Sequence, residues 1–181
     1  MKAEYNKLDI VTHLMNQSIK MFFHKEDGIS IHLLASAANE ILTTILKTKK
    51  IKSILGCNSI VIKDEYRKEW IKGRKSAYNF FKHADKDTYE SISFDERLNM
   101  ILLLENINFL LLLKQKLSRE ETYFVFWILA TKRNYLIENE KFDKLIEKTG
   151  VIEKDFFDLY DDTIESYNFE SVAISSLLIP I

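Results

Sequence analysis

The sequence predicts an all-α protein, a bundle of five to seven helices, on three observations. Apolar residues recur at steps of three and four through most of the chain, which is the helical period. Gly occurs four times and Pro once, at Pro180, so the punctuation that short strands and tight hairpins need is missing. An apolar share of 46 % beside 29 % charged residues is that of an ordinary globular chain able to bury a core. At 181 residues the expectation is one helical domain spanning 1–181.

The first helix is expected over residues 7–25, where Leu8, Val11, Met15, Ile19 and Phe22 form one stripe and Asp27-Gly28 ends it. A second opens at Ser30 as N-cap and carries Ile31, Leu34, Ala38, Ile41, Leu42 and Ile45, with Ala35, Ala37 and Ala38 small enough to let the first helix approach closely. Glu40 sits within this apolar helix, and a carboxylate there needs a partner if it is buried. Residues 47–59 are basic, include Gly56 and show no sustained period, so they read as a connection.

A third helix is expected over 62–83 with Trp70, Ala77 and Phe81 as its core line. If it runs unbroken to His83, then Ser76, Asn79 and His83 share the opposite face, and Arg74 lies about 180° from His83 at about 100° per residue. After a polar link over 84–93, a fourth helix over 94–116 is apolar nearly all round and is expected at the centre. A fifth, over 119–133, is capped by Ser118 with Glu121 three residues on. Its Tyr123, Phe124, Phe126 and Trp127 supply more aromatic surface than one core needs, the mark of an interface. Two weaker helices, over 138–148 and 153–167, precede an apolar tail from Ser171.

Composition also excludes function classes. A single cysteine, Cys57, leaves no intrachain disulfide and no cysteine cluster for metal, and the N-terminus lacks a signal peptide's basic-then-apolar order. The most apolar run, Leu98 to Leu113, contains Asn99, Glu105, Asn106 and Asn108 and is too short and polar to span a bilayer. A cytoplasmic protein without membrane contact is expected. No Gly-rich phosphate loop, zinc cluster or nucleophile elbow occurs, and His13, His24 and His32 have neither metal-ligand nor triad spacing. The net charge of −1 hides a segregation: residues 47–87 carry 12 Lys/Arg against 5 Asp/Glu, and residues 134–170 carry 4 against 11. Both read first as solvated faces, and the basic segment would also attract phosphate.

Within that basic segment, Ser76 to Asp87 gathers the chain's chemically capable residues. Neutral imidazole at His83 is suited to proton transfer near neutral pH, and the Asn79 amide four residues earlier can orient it or hold a phosphate oxygen. Lys82 and Lys75 add positive charge. The plainer reading is the polar face of an amphipathic helix. His83, Asp85 and Asp87 alternate and offer a thin ligand set for a divalent ion, but no metal or other cofactor is expected.

Two segments carry a resemblance: Ile29-Ser-Ile-His-Leu-Leu-Ala-Ser-Ala-Ala-Asn-Glu-Ile-Leu and Tyr78-Asn-Phe-Phe-Lys-His-Ala-Asp. They resemble, over residues 7–90, a family of uncharacterised all-helical bacterial proteins with a Ser-Ala-x-x-Leu-Ala-x-Ala-Ala-Glu-Glu-Ile-Leu pattern and an Asn-x-x-Lys-His motif. That arrangement is similar to the HEPN superfamily of helical bundles. Its ribonucleases carry an arginine, a polar residue and a histidine late in a helix, pair as dimers and cut RNA without metal. The resemblance implies a HEPN-like homodimer and an RNA-directed, metal-independent endoribonuclease of a bacterial defence or toxin-antitoxin system. His83 would handle the proton, Asn79 the phosphate and Lys82 the charge, supported by Ser76, Glu40 and Tyr78. Tyr78 stands where the arginine belongs, and that departure implies the alternative, a non-catalytic helical dimerisation or interaction module that binds a protein partner.

Overall fold

The computed structural model describes residues 2–53, 63–83 and 88–131, with the side chains of Arg74 and Leu129 excepted. The two weaker helices, the apolar tail, the acidic segment, the orientation of Arg74 and the carboxylates of Asp85 and Asp87 lie outside the described residues. About 72 % of the described residues are helical and none forms a strand. Five helices follow in order: α1 (Lys7–Phe23), α2 (Gly28–Thr48), α3 (Asp64–Lys82), α4 (Leu98–Leu112) and α5 (Arg119–Thr131). The chain divides into two compact units, residues 1–117 and 118–181.

Local chemistry sets the helix ends. Asn6 and Asp9 form a reciprocal capping box that starts α1: the Asn6 side chain accepts from the amides of Leu8 and Asp9 at 2.8 and 3.0 Å, and Asp9 accepts from the Asn6 amide at 2.9 Å. Two residues expected to terminate α1, Asp27 and Gly28, instead open α2. The Asp27 carboxylate accepts from the Ser30 amide at 2.7 Å, so the cap lies three residues before the Ser30 expected from sequence. Gly28 lies close to Glu96: a Cβ there would come within 2.5 Å of the Glu96 side chain, which would have to swing aside.

Three helices of the first unit end alike. After α1, α2 and α4 the chain turns through Lys25, Lys50 and Lys114, whose φ angles of 54°, 57° and 56° lie in the left-handed region. The next amide reaches back five residues in each case: Glu26 to Met21 at 3.0 Å, Ile51 to Leu46 at 2.9 Å and Gln115 to Leu110 at 3.0 Å. These are Schellman closures made by lysine where glycine is usual, each costing about 1 kcal/mol of backbone strain.

α2, rather than the more apolar α4, is the centre of the first unit: α1, α4 and α3 all pack along it. The expectation that α4 would be central fails because apolarity all round is not what makes a hub. Ala35 and Ala38, both fully buried, let neighbours approach α2 closely, as their small size predicted. Val11, Met15, Ile19, Leu42, Leu103 and Ile107 are also fully buried. By length and composition α2 is apolar enough to cross a membrane; here three helices cover it.

Two polar rungs fix α4 on α2. His32 Nδ1 lies 2.9 Å from Asn99 Oδ1, and Asn99 donates to the Gly28 carbonyl at 2.8 Å. Asn39 donates to Asn106 and Glu105 at 2.7 and 2.9 Å, and Asn106 donates to the Ala35 carbonyl at 2.8 Å. His32 to Asn39 and Asn99 to Asn106 are both steps of seven residues, two turns on each helix. α2 and α4 therefore run parallel. α4 starts at Leu98 rather than 94 because Asp95 and Arg97 close a turn there: Asp95 accepts from the Arg97 amide at 3.0 Å and from its guanidinium at 2.7 Å.

In the second unit α5 opens on the capping box expected from sequence. The Ser118 amide donates to Glu121 Oε2 at 2.8 Å and the Glu121 amide donates to Ser118 Oγ at 3.2 Å. Tyr123, Phe124, Phe126 and Trp127 are buried within the chain itself, so this aromatic load is not the open surface it was expected to offer a partner.

Candidate functional site

α3 is a charged helix with one buried residue among its described side chains. That residue is Tyr78, at 7 % exposure, not the expected core line; Trp70, Ala77 and Phe81 are each only half-buried. Phe81 sets its ring edge-on against His32 and Phe94, at centroid separations of 5.9 and 5.1 Å.

The inner face of α3 meets α2 at Glu40. Tyr78 donates its hydroxyl to Glu40 Oε2 at 3.4 Å, Lys75 reaches Oε1 at 3.4 Å, and Lys82 reaches Oε2 at 3.6 Å. Lys82 also lies over the Tyr78 ring, 4.7 Å from its centroid. Positions 75, 78 and 82 share one helix face, so one α2 carboxylate gathers three α3 donors. Glu40, whose need for a partner was expected only if it was buried, is 39 % exposed and has these partners all the same. Lys82, expected to supply positive charge beside His83, lies 3.6 Å from Glu40 Oε2 with its side chain 40 % exposed.

The outer face carries the other expected residues. Ser76, Asn79 and His83 are exposed, and the Ser76 hydroxyl donates to the Gly73 carbonyl at 2.8 Å. The helix stops one residue short of His83, whose backbone is extended at φ −124°, ψ 129° while its amide still donates to the Asn79 carbonyl at 3.0 Å. His83 is therefore the C-cap of α3 rather than part of its last turn, and both it and Asn79 remain open to solvent. Lys68 and Lys72 continue the exposed stripe toward the start of α3. Among the described residues no three His, Cys, Asp or Glu side chains converge to hold a metal ion.

Two other polar groups stand out, His32, to which the sequence gave no role, and Glu121, to which it gave only that of a cap. His32 is buried, its Nε2 has no hydrogen-bond partner, and burial holds its pKa below the usual imidazole value against the Asn99 hydrogen bond. Glu121 is buried at the start of α5 with Oε1 unpartnered; burial pushes its pKa up to about 7, against the hydrogen bonds from Ser118. For His32 a signal existed, since His32 and Asn39 are seven apart on α2, as are Asn99 and Asn106 on α4.

No family model, curated protein or solved structure matches the chain. The class that fold and site define is thus an all-α protein built around α2, with a polar, lysine-bearing outer face on α3.

Proposed function

We propose that this chain is a HEPN-like, RNA-directed module of the bacterial cytoplasm, serving a defence or toxin-antitoxin system, that binds RNA without cutting it. The observation that carries this reading is the burial of Tyr78. The residue at the arginine position of the resemblance points inward to Glu40, and the same carboxylate engages Lys82 and Lys75. Among the described residues, Lys75 and Lys82 are thus turned to Glu40 rather than held ready beside Asn79 and His83 to stabilise charge developing on a phosphate, the contribution on which such catalysis depends. Lys68, Lys72, Ser76 and Asn79 remain exposed along α3 and suit contact with a phosphate backbone, which is read by charge and simple donors. A homodimer fits the exposed Ile29, Leu98 and Ile101, which the Asn99 bond to Gly28 brings to the same end of α2 and α4.

The test is a pair of measurements on the full chain with unstructured RNA in EDTA. Binding followed by fluorescence anisotropy is expected to weaken at least tenfold in Lys68→Glu/Lys72→Glu, with no cleavage by wild type. Absence of RNA binding at low salt would sink this reading in favour of a protein-interaction module. The exposure of His83 and Asn79 favours a second reading, the metal-independent endoribonuclease. It prevails if wild type cuts, leaves 2′,3′-cyclic phosphate ends and loses activity in His83→Ala.

A further inference from the structure

The cluster on Glu40 has the form of an occupied anion cradle. Three donors, the ammonium groups of Lys75 and Lys82 and the Tyr78 hydroxyl, converge from one face of α3 on a single carboxylate belonging to another helix. None of the contacts is short. They measure 3.4, 3.4 and 3.6 Å, whereas charge-assisted hydrogen bonds close to about 2.7–2.9 Å, so the donors enclose more room than the carboxylate fills. The two lysine side chains are 38 % and 40 % exposed and that of Glu40 is 39 % exposed, which leaves the cradle open to solvent and lets Glu40 swing out of it.

We propose that Lys75, Tyr78 and Lys82 form a phosphate-binding cradle on α3 and that Glu40 occupies it as an internal competing anion. Two ammonium groups held at one point repel each other, so the site requires an anion, and a phosphate brings more charge and more acceptor oxygens than a carboxylate. The pairs formed with Glu40 are half-exposed and therefore weak, so exchange costs little. This inference rests on the RNA reading only for the source of the phosphate; the cradle itself would also take a free phosphate or a nucleotide.

The experiment uses the full chain as wild type, Glu40→Gln and Glu40→Gln/Lys75→Ala/Lys82→Ala, with circular dichroism to check the fold. The probes are pyrophosphate, followed through the lysine side-chain resonances, and a fluorescent unstructured RNA. Glu40→Gln is expected to bind pyrophosphate about tenfold more tightly than wild type, and the triple variant to lose that gain. If the source is RNA, Glu40→Gln also tightens RNA binding and steepens its salt dependence, because two added phosphate contacts raise the slope by about 1.4. Should Glu40→Gln fail to fold, pyrophosphate titration of wild type decides: shifts at Lys75 and Lys82 support the cradle, and their absence overturns it. Unchanged pyrophosphate affinity in a folded Glu40→Gln also overturns it, even where RNA binds through Lys68 and Lys72. Tight pyrophosphate binding with no RNA binding in any variant supports the cradle while removing the RNA reading.

Discussion

Against α4, helix α2 presents His32, Asn39 and the Ala35 carbonyl to buried amides; against α3 it presents one carboxylate, Glu40, to a buried tyrosine and to two lysines that water still reaches. Both joints are polar, and they do different work. The α4 joint is made mostly of neutral groups out of water, so each bond is costly to leave unmade, and two rungs seven residues apart forbid sliding along the helix. The α3 joint exchanges hydrated charges for half-hydrated ones and gains little energy. One joint fixes register, and the other is open to competition.

The largest expected effect is at the first joint. Asn106→Ala removes the donor to Ala35 and the acceptor for Asn39, which should cost about 3 kcal/mol in urea unfolding of the full chain. A cost below about 1 kcal/mol would mean that apolar packing alone holds α4.

Hidden charge gives the next contrast. Glu121 has a folded pKa raised from 4.5 to about 7, so the protonated form is favoured by folding and its contribution is lost as pH rises from 4.5 through 7. Glu121→Gln should therefore gain up to about 3 kcal/mol at pH 8 and almost nothing at pH 4. His32 has the opposite sign: its folded pKa is lowered from 6.5, so its contribution is complete above pH 6.5 and is lost as pH falls toward the folded value. Unfolding midpoints measured across pH 4–8 should rise with pH in Glu121→Gln and fall with pH in His32→Gln.

A middle effect is expected where the two joints meet. Phe81→Ala takes a half-buried ring from His32 and Phe94 and should cost about 2 kcal/mol, less than the 3–5 of a fully buried aromatic. His83→Ala should stay within about 0.5 kcal/mol, as surface changes do. Equal costs would make His83 a packing residue and remove it from any site. The smallest effect sharpens the second joint: Glu40→Ala should lose under about 1 kcal/mol in low salt and less in 0.5 M NaCl. An effect above 2 kcal/mol, insensitive to salt, would erase the contrast.

Part of the site was legible because it depends on local spacing. Ser76, Asn79 and His83 were expected on a polar face and are exposed; the Ser118–Glu121 box forms; Glu40 finds partners. The burial of Tyr78 was not legible, because tyrosine suits either an interior or a wet surface and its burial depends on how close α3 comes to α2. The pairing of Lys82 with Glu40 was hidden because Glu40 lies 42 residues earlier in the chain. The closures at Lys25, Lys50 and Lys114 were hidden because lysine carries no signal for a left-handed backbone.

By itself the sequence determined that this protein is helical and which positions open α5, because period and capping act within a few residues. It also determined that α2 could be approached closely, since alanine is small wherever it lies. Tertiary structure alone decided that α2 and not α4 is the hub, that Asn39 meets Asn106, and that Lys75, Tyr78 and Lys82 converge on Glu40. Those outcomes depend on the direction and rotation of one helix against another, which no single helix's pattern contains: α4 is apolar on every side, and only its buried amides, once matched to those of α2, select one orientation.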